Sequence, residues 1–209
     1  EDGPTHQPIE QEAQMRLLEE LKNHKGENSM LVLRPADSAE TSVAWKMAME
    51  NTGTPTALIL SRQNIPDLPA ASGNRYEEAL QARRGAYAVV KAENPDVVLV
   101  GNGSEVSTLV AANEELKAKG IKAQIVSIPS IGLFFNQDKD YRCSVLPCGV
   151  PTFGLTAGLP STLGRVVGNN GMVYGLDHFG ESAPAKVLDE KFGYTAANIA
   201  NEICKFLNK

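Results

Sequence analysis

The chain has 209 residues, 42% of them hydrophobic and 22% charged, and a formal net charge of −5. This composition is typical of a folded globular protein, and the length allows one large domain or two small ones. The acidic balance argues against nucleic acid as a partner, because binding to phosphate needs clustered Lys and Arg. No apolar run reaches the ~20 residues that a membrane span requires. We therefore expect no nucleic-acid partner and no membrane association.

The chain opens on a polar, turn-rich motif, EDGPTHQP. Asp2 and His6 stand four apart on a backbone that Gly3 and two prolines stiffen, and such loops often hold polar groups toward a ligand. We therefore take both side chains as candidate site residues. The alternative is a polar turn in which Thr5 caps the following helix. A polar motif at a free end would fray, so we also expect the chain to be the downstream part of a longer protein.

Two helices are predicted in the first quarter of the chain. The first runs over residues 9–23, and its apolar face consists of residues at spacing four, namely Ile9, Ala13, Leu17 and Leu21. The second runs over residues 38–50. Asp37, with Glu40 three positions later, is typical of a capping pair at the start of such a helix.

Two short apolar strands flank the second helix, at residues 30–33 and 56–60. The order strand, helix, strand implies a right-handed parallel crossover. Residues 61–64 then lie just beyond the carboxyl end of a parallel strand, where open α/β sheets place their ligand sites. Arg62 is therefore a candidate anion-binding group by position. The alternative is a surface arginine paired with a carboxylate.

Residues 65–85 are predicted to be a linker, because they carry Pro, Gly and charge with little apolar periodicity. We therefore divide the chain into a first domain at 1–66, a linker at 67–85 and a second domain at 86–209. The second domain also alternates strands and helices. Its predicted strands lie at 87–91, 97–100, 122–128, 152–155 and 172–176, and its predicted helices at 104–119 and 195–207.

Two further motifs are weaker. Gly101-Asn102-Gly103 follows a strand and opens a helix, as a dinucleotide-binding loop does, but Val106 stands where the third glycine is needed. A tight strand-to-helix turn with Ser104 near the N-cap is the better interpretation, so we predict no NAD site. The pair Asp177-His178 has no serine or cysteine nucleophile placed near it by the sequence, which leaves a catalytic triad unsupported.

The cysteines are Cys143, Cys148 and Cys204. Three is an odd number, and no histidine lies near the first two, so a zinc site is not indicated. We interpret all three as reduced, structural thiols of a cytoplasmic protein. No residue of the chain is predicted to bind a metal.

Several of these segments together resemble the transketolase family. They are, in chain order, EDGPTHQPIE at the start, RPAD with the following Glu40 and AWK, PTALILSRQN, GSEV at residues 103–106 and FGESAP at residues 179–184. The motifs are long and ordered, and the resemblance covers essentially the whole chain. It implies an α/β fold, in which the remnant of a parallel-sheet thiamine-diphosphate-binding domain, its pyrimidine-binding part, precedes a three-layer α/β C-terminal domain with a mostly parallel sheet.

The resemblance also implies an activity. Transketolases transfer a two-carbon ketol unit from a ketose phosphate to an aldose phosphate in the pentose phosphate pathway. They use thiamine diphosphate and a divalent cation, Mg²⁺ or Ca²⁺, and are cytoplasmic homodimers. By this resemblance Asp2 would bond a substrate hydroxyl and His6 would be the catalytic residue that contacts the reacting oxygens. Arg62 would hold the sugar phosphate, which suits its fork of donors.

Parts of the family's site are not found in this sequence. It contains no Gly-Asp-Gly followed by a distant Asn, which is the usual diphosphate–metal motif, and the glutamate that activates the cofactor would precede residue 1. We therefore assign no cofactor-binding residue, and we expect the chain alone to bind no cofactor and to be inactive. Its partners would be sugar phosphates and the missing N-terminal portion.

The leading interpretation is a fragment of one long enzyme, and two alternatives stay open. One is the C-terminal subunit of a split transketolase that needs an N-terminal partner. A related ketol transferase such as dihydroxyacetone synthase also fits, whereas the Thr-His-Gln-Pro and Ser-Arg-Gln-Asn pairing argues against a deoxyxylulose phosphate synthase. Residues 11–29 and Thr156, where an acidic residue is expected, depart from the family pattern.

Overall fold

The computed structural model of the protein describes residues 3–208. The strands in this range are β1 (Leu31–Leu33), β2 (Thr56–Leu58), β3 (Tyr87–Val90), β4 (Val97–Gly101), β5 (Ala123–Ser127), β6 (Thr152–Leu155) and β7 (Met172–Tyr174). The helices are α1 (Gln11–Glu20), α2 (Ser38–Glu50), α3 (Arg75–Ala79), α4 (Glu105–Ala118), α5 (Ile131–Phe135), α6 (Lys139–Val145), α7 (Ser161–Val167), α8 (Ala185–Phe192) and α9 (Ala196–Phe206). Strands and helices alternate, which confirms the predicted α/β class.

The first sheet pairs β1 with β2 in parallel, with Leu31 opposite Thr56. Helix α2 makes the crossover between the two strands. Its first turn is fixed by Asp37, whose side chain accepts a hydrogen bond from the Glu40 backbone N–H at 2.8 Å. Val43 on the same helix is fully buried. The predicted parallel pairing and the Asp37 cap are therefore confirmed.

Helix α1 differs from its prediction in two respects. It ends at Glu20 instead of continuing to residue 23, and its apolar side faces outward, since Leu17 is 65% exposed. The side that packs against the protein carries the buried charges of Arg16 and Glu19. Arg16 donates to Glu19 and to the Val32 carbonyl, both at 3.2 Å, so polar bonds and not apolar burial orient this helix.

The second sheet contains five strands in the order β3-β5-β4-β6-β7. All neighbours are parallel except β3, which runs antiparallel to β5. Alternate residues of the central strand β4 face opposite sides. Leu99 belongs to a core that includes Leu109 of α4 and Ile203 of α9, and Val100 to a core that includes Leu163 of α7. The second part of the chain is therefore a three-layer structure with a mostly parallel sheet.

The segment predicted as a linker is folded. Helix α3 and a 3-10 helix at Leu80–Arg84 lie inside it, and Leu68, Ala79 and Ala82 are buried there. Its Pro and Gly residues mark the turns before these short helices and do not make an extended spacer. None of the described helices has the length and apolarity that crossing a bilayer requires.

Candidate functional site

A cleft of about 780 Å³ lies where the two parts of the chain meet. One wall is formed by the N-terminal loop and by the loop that follows β2. The other wall is formed by the start of α4 and by α8. Polar residues on its lining include Gln7, Arg62, Asn64, Thr108, Glu181 and Lys186. The cleft is thus polar and open to ligands that carry charge and hydroxyl groups.

The N-terminal loop is held in place by backbone bonds. A 3-10 turn at Pro4–His6 is closed by the Gln7 N–H, which donates to the Pro4 carbonyl at 3.0 Å. The Gly180 N–H donates to the Gln7 carbonyl at 2.8 Å and so ties this loop to the segment before α8. Gln7 lines the cleft, whereas the preceding His6 is exposed and is not among the residues that line it.

Of the predicted N-terminal candidates, the structure describes His6. Its ring Nδ1 lies 3.2 Å from the Thr5 hydroxyl. Thr5 is therefore engaged with His6, and the alternative in which Thr5 caps the next helix is not the arrangement found, since Glu10 occupies the N-cap position of α1. Asp2 lies outside the described residues.

Arg62 reaches the cleft because of how β2 ends. The pairing with β1 continues one step past the strand, since the Ile59 N–H donates to the Leu33 carbonyl at 2.8 Å. The chain then turns, and residues 61–64 lie at the carboxyl end of the parallel pair, as the sequence predicts. Arg62 is exposed there and lines the same cleft as Gln7.

Helix α8 supplies cleft residues that the sequence prediction missed. Ala185, Leu188, Asp189 and Phe192 on one of its faces line the cleft, together with Lys186. Their spacing of three and four is a helical signal that was available in the sequence. The segment is short and follows Pro184, which obscured that signal.

A buried charge cluster forms the floor between the two walls. Arg34 Nη1 lies 2.6 Å from Glu105 Oε2 and 3.4 Å from Glu12 Oε2, and it donates to the Asn102 side-chain oxygen at 2.6 Å. Burial alone would lower the pKa of Arg34, but the carboxylates of Glu105 and Glu12 outweigh it and hold that pKa above its ordinary value. Arg34 is therefore permanently charged and joins α1, β1 and α4.

The glycine turn before α4 is built around this arginine. Gly103 has a φ of +59°, and a Cβ placed on it would lie 2.8 Å from Arg34 Nε. Its N–H donates to the Arg34 carbonyl at 3.1 Å. Ser104 is the N-cap residue of α4. The motif is thus a tight turn that accommodates a neighbouring side chain, in agreement with the sequence interpretation.

A second buried cluster ties α2 to the segment after the first sheet and to β3. Arg75 Nε lies 2.5 Å from Asp37 Oδ2, and its Nη2 lies 3.2 Å from Glu40 Oε1. The Tyr87 hydroxyl donates to Glu40 at 2.6 Å. Complete burial raises the pKa of the Glu40 carboxyl, although the hydrogen bonds from Tyr87 and from the Ala36 N–H oppose the shift. This cluster holds the two parts of the chain together.

The remaining sequence motifs are peripheral to the cleft. His178 is exposed, and its Nδ1 lies 2.8 Å from the Phe179 carbonyl oxygen. Among residues 3–208 there is no group of three His, Cys, Asp or Glu side chains arranged to hold a metal ion. The described part of the chain thus offers a polar cleft and two structural charge clusters.

Comparisons with known proteins agree with this architecture. The family model of the transketolase pyrimidine-binding domain matches residues 1–67, and that of the transketolase-like C-terminal domain matches residues 85–195. Transketolase 1 of Escherichia coli is 44% identical over 202 residues, and transketolase 2 of Vibrio parahaemolyticus is 42% identical over 203 residues. The alignments cover 95% and 96% of this chain but 28% and 29% of those proteins.

Solved structures give the same result. A transketolase mutant of Pichia stipitis in complex with xylulose 5-phosphate superposes with a TM-score of 0.84 at 37% identity, covering 100% of this chain and 28% of that one. A split-gene transketolase, described as an inactive β4 tetramer, has a TM-score of 0.73 at 26% identity and covers 99% of this chain and 64% of that one. The two family models together cover most of the sequence, and the solved structures share its fold. The chain therefore belongs to the transketolase family.

Proposed function

We propose that this chain forms the sugar-phosphate-binding side of a thiamine diphosphate-dependent transketolase, which transfers a two-carbon ketol unit from a ketose phosphate to an aldose phosphate in the pentose phosphate pathway. The observation that carries the proposal is the cleft in which Arg62, beyond the carboxyl end of β2, lies with Gln7 of the N-terminal loop. Transketolases of Pichia stipitis that match this chain were crystallised with xylulose 5-phosphate, fructose 6-phosphate and sedoheptulose 7-phosphate.

The chemistry of these sugars suits the polar lining. A ketose phosphate has a dianionic end and a run of hydroxyl groups. In our proposal the guanidinium of Arg62 donates to the phosphate oxygens, and this binding energy, remote from the carbon–carbon bond that breaks, orients the sugar. His6 contacts the reacting oxygens of the donor and stabilises the charge that develops on them. Asp2 bonds a substrate hydroxyl and thereby selects its stereochemistry.

The proposed enzyme uses thiamine diphosphate and a divalent cation (Mg²⁺ or Ca²⁺), and the match of residues 1–67 to the pyrimidine-binding domain supports the thiamine part of this proposal. The Gly-Asp-Gly motif is absent from the sequence, and no metal-binding cluster exists among residues 3–208. We therefore propose that the diphosphate and the cation are held by a missing N-terminal portion. We further propose that the assembled enzyme is a cytoplasmic homodimer and that the isolated chain is inactive.

The domain division belongs to the same proposal. Residues 1–66 would be the end of the pyrimidine-binding domain, 67–85 the connection, and 86–209 the C-terminal domain. The matched family segments, which end at residue 67 and begin again at residue 85, support these boundaries. The buried Arg75 cluster gives the connection a structural task as well.

A split enzyme is the second candidate. The likeness to the split-gene transketolase favours it, because this chain covers 64% of that chain but only 28% of the Pichia stipitis transketolase. In this case the chain would be a natural subunit whose N-terminal partner is a separate polypeptide. A related ketol transferase, dihydroxyacetone synthase, would differ from a transketolase, whether single-chain or split, in the acceptor that it uses.

The test is a reconstitution assay. The chain is measured alone, and then with a separately expressed N-terminal portion of Escherichia coli transketolase 1, with thiamine diphosphate and Mg²⁺, for ketol transfer from xylulose 5-phosphate to an aldopentose phosphate. We expect no turnover alone and turnover in the mixture. Turnover by the chain alone would contradict the proposed inactivity. A stable complex without transfer would contradict the proposed function, and a preference for formaldehyde as acceptor would favour dihydroxyacetone synthase.

A further inference from the structure

Two cysteines of the second domain lie side by side at its surface. Cys143, in the last turn of α6, and Cys148, just after that helix, have their Sγ atoms 2.7 Å apart. Cys148 is exposed and Cys143 is half-buried, whereas Cys204 is buried. All three cysteines are free thiols, but of the three only Cys204 is enclosed in the core.

The backbone between the two cysteines brings them together. The Val150 N–H donates to the Pro147 carbonyl at 3.2 Å, which closes a turn with Cys148 and Gly149 at its centre. Gly149 has a φ of +86°, as the third position of a type II turn requires. A Cβ placed on Gly149 would meet no described atom within 4 Å. The turn thus has room to adjust on its outer side.

The helix that carries Cys143 is anchored independently of the sulfur atoms. The Tyr141 hydroxyl donates to the Ala86 carbonyl at 2.7 Å, and the Gln124 side-chain N–H donates to the Val145 carbonyl at 2.8 Å. Val145 itself is buried in the core on that side of the sheet. The approach of the two thiols is therefore built into the fold, and a bond between them needs little reorganisation, since a disulfide is about 2.05 Å long.

We propose that Cys143 and Cys148 form a reversible disulfide site that exchanges with low-molecular-weight disulfides such as oxidised glutathione. The thiolate of Cys148 attacks one sulfur of the small disulfide, a mixed disulfide forms, and one small thiolate leaves. The thiolate of Cys143 then attacks the sulfur of Cys148 and displaces the second small thiolate. Two protein thiols are oxidised to one disulfide and one small disulfide is reduced to two thiols, and the two protons lost by the protein are taken up by the two departing small thiolates.

The order of attack follows from the surroundings of each sulfur. Cys148 is exposed, so the small disulfide reaches it first. The hydrogen bond with Cys148 raises the pKa of Cys143, which the nearby charges of Lys139 and Arg142 only partly oppose. Cys143 therefore stays a thiol during the first attack and is the resolving group that attacks the mixed disulfide on Cys148.

The experiment equilibrates the reduced full chain with glutathione mixtures from fully reduced to fully oxidised, followed by alkylation, intact mass and peptide mapping. We expect Cys143 and Cys148 to lose alkylation together, with a mass lower by two hydrogens, no retained glutathione, and full reversal by reduced glutathione. Stable glutathione adducts on the wild-type chain, a disulfide between two chains, or two thiols that stay alkylatable in the oxidised mixture would each overturn the proposal.

Single substitutions separate the two roles. Cys143→Ser is expected to trap the glutathione adduct on Cys148, because the resolving thiol is gone. Cys148→Ser is expected to react at least tenfold more slowly at Cys143. Cys204→Ser is the matched control and should form the disulfide like the wild type. Equal adduct formation by the two single variants would contradict the assigned order, and circular dichroism verifies that each variant is folded.

Discussion

Arg62 and Arg165 are both exposed arginines, but they differ in what surrounds them. Arg62 follows a parallel strand and lines the cleft, whereas Arg165 on α7 lies 4.0 Å from Glu20 at the surface. If Arg62 holds the sugar phosphate, a charge-assisted bond worth about 1.5–3 kcal/mol is lost when it is removed. The same loss is not expected at Arg165, because no ligand is proposed there.

The prediction is made for the reconstituted enzyme. Arg62→Ala should raise KM for xylulose 5-phosphate about 10- to 100-fold, and Arg62→Lys should recover part of the loss, because a lysine keeps the charge without the fork. A ketol donor that lacks the phosphate should be affected little. Arg165→Ala serves as the control. Equal effects on phosphorylated and unphosphorylated donors would show that Arg62 does not bind the phosphate.

A glycine gives a second residue-scale prediction. Gly103→Ala must place a Cβ against Arg34, which cannot move because Glu105 and Asn102 hold it. Together with a φ of +59°, this should lower the free energy of unfolding by about 2–4 kcal/mol. Gly120→Ala is the control, since its φ is +74° but its Cβ would meet no described atom within 4 Å. Urea unfolding should show a larger loss of unfolding free energy for Gly103→Ala than for Gly120→Ala. Equal losses would show that the contact with Arg34 does not cause the destabilisation.

At the scale of the elements, helix α2 carries a pH-dependent contribution. Glu40 is fully buried, and burial raises its pKa above the ordinary 4.5. The folded state therefore releases the Glu40 proton at a higher pH than the unfolded state does. The stabilisation is complete below about pH 4.5 and is lost as the pH rises through the folded-state pKa.

We therefore predict that the wild type loses stability relative to Glu40→Gln as the pH is raised above about 4.5. Urea unfolding at several pH values measures this difference. Glu50→Gln is a control with the opposite sign, because the hydrogen bond from Arg83 lowers the pKa of Glu50, so the stabilisation by Glu50 is lost as the pH falls. A difference between wild type and Glu40→Gln that does not change with pH would contradict the assignment.

The elements that are determined by local sequence were predictable. The apolar runs of β1, β4 and β5 and the Asp37 cap of α2 depend on local chemistry, and these elements are found where the sequence predicts them. The antiparallel direction of β3 was not predicted, because strand direction is set by partners distant in sequence. Helices α5 to α7 are five to seven residues long, too short for a helical period to stand out.

Helix α1 shows why an apolar period alone misleads. Its leucines predict a face that packs inward, yet Arg16 and Glu19 are the buried residues. Their partners are the Val32 carbonyl and the Ser130 hydroxyl, which lie far along the chain. The candidate site is likewise only partly predictable from the sequence. The position of Arg62 could be predicted from the order of strands and helices, whereas the contribution of α8 depends on how distant segments meet.

For the whole molecule, Arg34 is the residue that joins the two parts of the cleft. Arg34→Met would leave Glu105 buried without its countercharge, while Glu12 keeps its ion pair with Arg16. Removing one partner of a buried pair costs about 3–5 kcal/mol. Arg83→Met is the matched control, because Arg83 pairs with Glu50 at the surface, where both side chains are more than two-fifths exposed. We expect a much smaller loss in this control. Equal losses of unfolding free energy for Arg34→Met and Arg83→Met would show that the buried ion pairs of Arg34 do not stabilise the fold more than a surface pair does.

The contact between Gln7 and Gly180 determines when the cleft can form. The two residues lie far apart in the sequence, and closing such a long loop is slow compared with forming one helix or one strand crossover. During synthesis the residues around Gln7 leave the ribosome long before those of α8. This side of the cleft is therefore completed only after the segment before α8 has reached the N-terminal loop.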